Sequence, residues 1–215
     1  MIAEELLVTT HLSQPPLPPG QWPEQGAWTV ADWERLPYDG NRYEVINGVL
    51  YVTTAPSPSH QWCAGSLFRL LSDHLDAQQP APGILFLAPT GVILPTGPVI
   101  PDLVYFHMSN LHILTKKRIV GVPDILIEIA SPGTAAYDRR EKQDGYAQSG
   151  VPEYWWIDPA HRTVEVLVLD RPGAYRPYKL VEGQRPIPSL QLPGLKFPVD
   201  RIFMPRDLLA SLRED

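Results

Sequence analysis

The segment VPDILIEIA, residues 122–130, sets the terms for the rest of the chain. It is a nearly unbroken apolar strand, and such a strand is buried on both faces. A sheet covered on both faces calls for packed layers on either side, the architecture of an α/β domain. Glu128 stands inside this apolar run. A carboxylate there must be paired, hydrogen-bonded, protonated or bound to a metal. Strand alternation puts Asp124, Leu126 and Glu128 on one face and Ile125, Ile127 and Ile129 on the other. No Arg or Lys shares the strand, so any cation that neutralises Glu128 comes from another element.

The flanking sequence supplies the other layers. WTVADWERLP reads as a short helix capped by Thr29 and stopped by Pro37. RYEVINGVLYVT places two β-rich runs around Asn47-Gly48, a strong hairpin signal. Residues 60–77 form a helix with Leu67, Leu70, Leu71 and Leu75 on one stripe, and Ser59 is its expected cap. ILFLAPTGVIL, VIPDLVYF, EYWWID, TVEVLVLD and YRPYKLVEG read as strands. Residues 134–149 form a polar helix ended by Gly150. The order predicts an α/β domain, a mixed central β-sheet flanked by helices, with an N-terminal β-hairpin. QPPLPPGQWPEQG, residues 14–26, holds too much proline for a helix or central strand and reads as an arm. The expected division is an arm over 1–26 and one domain over 27–215.

Composition narrows the function. The formal net charge is −6, so the chain is not a generic basic coat for nucleic acid. One cysteine, Cys63, excludes a disulfide within the chain and argues against a cysteine zinc site. No apolar run reaches membrane-spanning length, and the first residues carry no basic signal-like start. A cytoplasmic protein without membrane contact is the expectation. GxGxxG, GxxxxGK[ST], GxSxG and HExxH are all absent, and the six histidines show no metal-ligand spacing.

What remains is a set of acids and one lysine. Asp102 follows Pro101 at the mouth of the strand DLVYF. Two acids entering one sheet from adjacent strands suit a hard divalent cation. Lys142 lies on the helix after Glu128, where an ammonium can orient a nucleophile and stabilise developing negative charge. Pro101-Asp102, Glu128 and a following lysine resemble the PD-(D/E)XK nuclease superfamily. The usual lysine position, two residues after the acid, is Ala130 here. The longer stretches YEVINGVL, PDLVYF and GVPDILIEIASPGTAAYDRREKQDGYAQSGVPEYWWIDP are similar to the Uma family of restriction endonucleases, in which the lysine has moved onto the next helix.

That resemblance implies a restriction-endonuclease-like fold and a divalent-metal-dependent endonuclease acting on DNA. Asp102 and Glu128 would bind Mg²⁺ or Mn²⁺, with the Ile129 carbonyl as an extra ligand. Lys142 would position the attacking water, and Glu44 would be a third or water-mediated contact. The family's habit of pairing to cut two strands makes a homodimer an expectation. The contrasting reading is a catalytically inactive nuclease-fold module that binds nucleic acid or a protein partner.

Other residues carry plainer readings. Asp138 and Lys142 are spaced as a helix-surface ion pair, with Asp138 alternatively orienting Lys142. Asp124 is expected to hydrogen-bond locally. His60 is read as structural at a helix start, though within reach of the site. Trp155 and Trp156 point to opposite faces, one of them into core. Lys116-Lys117-Arg118 and Arg139-Arg140 read as solvated surface that a nuclease would use to steer phosphates.

Overall fold

The structure is a computed structural model and describes residues 17–131 and 135–213. The first sixteen residues of the expected arm lie outside it, as does the side chain of Asp138. Residues 17–26 lie against the domain. Leu17 is buried and its N–H donates to the Arg35 carbonyl. Trp22 meets Trp28 and Tyr43 edge-on.

Helix α1 is one turn, Val30–Trp33, closed by a reciprocal Thr29–Asp32 capping box. Strands β1 (Arg42–Ile46) and β2 (Val49–Thr53) form the expected hairpin. Asn47 and Gly48 both adopt positive φ, 51° and 78°, as a two-residue turn of this hand requires. A Cβ on Gly48 would run into the Gly26 carbonyl oxygen, so the position demands glycine twice over. Helix α2 spans Pro58–Asp76. Its cap is Ser57 rather than Ser59, because Pro58 takes the first helical position, where a missing N–H costs nothing.

The strands that follow are β3 (Gly83–Leu87), β4 (Val92–Leu94), β5 (Gly97–Val99), β6 (Leu103–His107), β7 (Ile119–Val120) and β8 (Ile125–Ile129). Helix α3 (Ala135–Ser149) leads to β9 (Glu153–Asp158), β10 (Thr163–Arg171) and β11 (Ala174–Glu182), and α4 (Arg206–Ala210) closes the described chain. The central sheet has the order β11-β10-β9-β8-β6-β3. Only β8 and β9 run parallel, joined by the α3 crossover, and every other pair in this sheet is antiparallel. The stretch ILFLAPTGVIL divides between two sheets. β3 stays at one edge of the central sheet, while β4 joins β5 and β7 in a small separate sheet.

Strand β8 is central, and all five of its residues are buried. One face packs Ile125, Ile127 and Ile129 with Trp155 under the Leu67–Leu71 stripe of α2. The other packs Leu126 with Tyr146, Tyr154 and Trp156 beneath α3 and the small sheet. Trp155 and Trp156 therefore serve opposite layers, as alternation requires. Truncating Ile127 to Ala would cost about 2–5 kcal/mol at a site this closed. Among the described residues no helix is long and apolar enough to cross a membrane.

Candidate active site

Two strand ends and one helix converge beside the hairpin. Leu103 pairs with Ile127 in antiparallel register, so the chain just before β6 brings Asp102 level with Glu128. Helix α3 crosses back over this point and lowers Lys142 onto it. Hairpin strand β1 brings Glu44 from a third direction. All three acids are buried, with Glu44 1%, Asp102 2% and Glu128 4% exposed.

Lys142 Nζ lies 2.8 Å from Glu44 Oε2 and 3.0 Å from Glu128 Oε2. The remaining oxygens are held as well. Glu44 Oε1 accepts the Ile100 N–H at 2.8 Å, and Glu128 Oε1 accepts the Tyr146 hydroxyl at 2.6 Å. Asp102 is gripped most tightly. Its Oδ2 accepts the Ile129 N–H at 2.9 Å and faces His60 Nε2 at 3.0 Å. Its Oδ1 accepts from Arg42 Nη1 at 3.0 Å. A carboxylate partner assigns the proton to His60 Nε2, which leaves His60 Nδ1 buried with no hydrogen-bond partner among the described residues.

The four residues singled out from sequence thus form one cluster. His60, read as structural, belongs to it too. Arg42 and Tyr146 were missed, although both carried a signal. Arg42 is two residues from Glu44 on a strand and so shares its face. Tyr146 is four residues from Lys142 on a helix and so shares its side. Asp124 does not bond locally as expected: it reaches across the fold, accepting from the His107 N–H at 2.8 Å and from Asn110 Nδ2 at 3.3 Å. Cys63 is buried, and burial pushes its thiol well above the ordinary range, so it is no nucleophile.

Electrostatics separate the two strand-end acids. Burial pushes the Glu128 carboxyl up to about 7, with the negative charges of Asp102 and Glu44 adding to the rise and Lys142 opposing it. Burial acts on Asp102 in the same direction, but His60, Arg42 and Lys142 together outweigh it and bring that carboxyl down to about 2. Burial works against the Lys142 ammonium, yet the neighbouring carboxylates prevail and hold it protonated. Two buried carboxyls of different proton affinity beside a fixed ammonium is a pattern found at reactive sites.

The cluster opens on a cavity of about 150 Å³, room for several waters. Trp156 and Tyr51 form part of its wall beside the charged groups. Carboxylate oxygens with space for water are the donors a hard divalent cation takes. Among the described residues no three His, Cys, Asp or Glu side chains could hold an ion together. A cation here would therefore rest on two carboxylates and complete its shell with water, a habit of Mg²⁺. The residues fit such an ion in kind and number.

Residues 30–200 match the Uma2 family model, described as "Putative restriction endonuclease". No curated protein matches the chain. A similar solved structure is that of a "putative nuclease belonging to DUF820" from Anabaena variabilis, with a TM-score of 0.68 and 19% identity. The likeness covers 82% of this chain and 97% of that one, and at this identity it speaks for the fold.

Proposed function

The chain belongs to the Uma2 family, and from that premise we propose that it is a divalent-metal-dependent endonuclease hydrolysing phosphodiester bonds in DNA. The observation that carries this reading is the Lys142 ammonium set between Glu44 and Glu128, beside Asp102, on a cavity with room for several waters. Three buried acids and their cations are costly, and apolar side chains would fill the space at less expense.

In this reading Asp102 and Glu128 hold Mg²⁺ or Mn²⁺. The metal would acidify a bound water and neutralise charge on the phosphate. Lys142 orients the attacking water and steadies the negative charge that develops on the phosphoryl oxygens. Glu44 places Lys142, and Tyr146 keeps the Glu128 carboxyl turned towards the ammonium. His60 and the Ile129 amide fix Asp102, the orienting role usually played by groups behind a metal ligand. Attack by water forms a new P–O bond as one P–O ester bond breaks; the attacking water gives up a proton to solvent and the departing oxygen takes one up.

Cleavage of labelled single-stranded and duplex DNA, with Mg²⁺ or Mn²⁺ and with chelator, tests this directly. Wild type should cut only with metal, while Glu128→Gln and Lys142→Ala should not cut, their folds unchanged by circular dichroism. Metal-independent cutting, or full activity in Glu128→Gln, would remove the assignment. DNA binding without cutting under any condition would favour a binding module on the same fold.

A further inference from the structure

Arg42 is the second cation of the site, and its bonding is incomplete. A carboxylate offers about four lone-pair positions. On Asp102, Oδ2 has spent both of its own, on the Ile129 N–H and on His60. Only Oδ1 has capacity to spare, and Arg42 Nη1 sits on it at 3.0 Å. Any cation reaching Asp102 must therefore share or take the oxygen that Arg42 now holds.

The guanidinium itself is underused. Among the described residues Arg42 donates only through Nη1, to Asp102 and, at 3.5 Å, to the Ile100 carbonyl. Nε and Nη2 make no hydrogen bond to any described residue, and the side chain is 23% exposed at the wall of the same cavity. An arginine fork with two idle donors, opening on a cavity, is suited to a phosphate, which it grips in two-point fashion. Lys142 cannot serve in this way, because both flanking glutamates hold its ammonium.

Resting on the nuclease reading, we propose that Arg42 is the phosphate-binding residue of the site and that its bond to Asp102 is a latch. Without a divalent ion, Arg42 neutralises Asp102. When an ion takes Asp102 Oδ1, the guanidinium is released and turns its fork to a substrate phosphate. Metal and phosphate thereby bind cooperatively through one side chain, while Arg42 and the metal compete for one oxygen.

The two halves predict opposite signs for a single substitution. Mg²⁺ titrated by calorimetry into Arg42→Ala should bind about ten-fold more tightly than into wild type, because the competing cation is gone. Inorganic phosphate added to the Mg²⁺-loaded proteins should bind Arg42→Ala about ten-fold more weakly. Arg42→Lys keeps the charge and loses the fork, so it should leave Mg²⁺ affinity near wild type while still weakening phosphate. Thermal melts confirm that both variants are folded. Weaker Mg²⁺ binding in Arg42→Ala, unchanged phosphate binding, or no Mg²⁺ binding by wild type would each overturn the proposal. Failure of the nuclease reading alone looks different: the opposite-sign pattern appears in full, and no DNA is cut.

Discussion

Neighbouring strands β8 and β9 each bury a glutamate, and the two are used in contrasting ways. Glu153 at the start of β9 is fully buried and, among the described residues, meets only neutral donors. It accepts from Trp155 Nε1 and Ser189 Oγ at 2.6 Å each, and from the Leu190 and Gln191 amides at 2.8 and 3.1 Å. Those donors belong to its own strand and to the C-terminal tail, so Glu153 pins the tail to the sheet. Glu128 meets an ammonium and one hydroxyl, and it borders a cavity. Burial alone thus does not mark a reactive acid. What separates the pair is whether the partners are neutral dipoles that exhaust the lone pairs or a charge beside open space.

The largest expected difference lies in activity. Lys142→Ala and Glu128→Gln should each lower metal-dependent DNA cleavage by at least about a hundred-fold, the usual scale for losing one group that stabilises developing charge. Glu153→Gln should cut like wild type. Equal losses in both strands would erase the distinction.

Stability should not separate them in the same way. Glu153→Ala strands several buried donors and should cost about 3 kcal/mol or more in urea unfolding, with metal binding intact in the folded fraction. Lys142→Ala should cost a similar amount, because it leaves two acids buried without their cation. Here the cost should shrink when Glu44→Gln is added, since the surplus charge goes with it. A Lys142 deficit that Glu44→Gln does not relieve would show that the ammonium acts by packing alone.

The pH response sharpens the contrast further. Glu128 titrates at about 7 in the fold against an ordinary 4.5, so the folded chain holds this proton more strongly than the unfolded one. Its contribution to stability is complete below about 4.5 and is lost as pH rises to about 7. The lowered carboxyl of Asp102 acts the other way, with a contribution present above 3.8 and lost as pH falls towards about 2. Between pH 4.5 and 7 wild type should therefore lose stability, with a slope of at most about 1.4 kcal/mol per pH unit for one proton. Glu128→Gln should flatten this slope and Glu153→Gln should leave it.

The smallest effect belongs to the hairpin that carries Glu44 and Arg42. Asn47→Ala should cost about 1 kcal/mol, because alanine resists positive φ. Its effect on cleavage should track stability and nothing more, read as a melting shift without a change in metal affinity.

Much of this site was legible in the sequence because strand and helix periods are short-range facts. Glu128 betrayed itself as a charge in an apolar run, and the Asn47-Gly48 turn fixed the hairpin and with it the place of Glu44. The cap slipped from Ser59 to Ser57 through a local preference, the fitness of Pro58 for the first helical turn. What could not be read is what depends on distant pairing. The order of six strands, the departure of β4 into its own sheet, and the approach of Arg42 to Asp102 across sixty residues are set by tertiary packing. His60 was visible as a helix-start residue. Only the fold shows that this helix start abuts Asp102.

Calorimetric titration of Mn²⁺ into wild type, Glu128→Gln and Glu153→Gln is the most direct test of the central claim, that the β8 acid is a metal ligand and the β9 acid a structural tie. Wild type and Glu153→Gln should bind, and Glu128→Gln should not. Undiminished binding by a folded Glu128→Gln would contradict that claim.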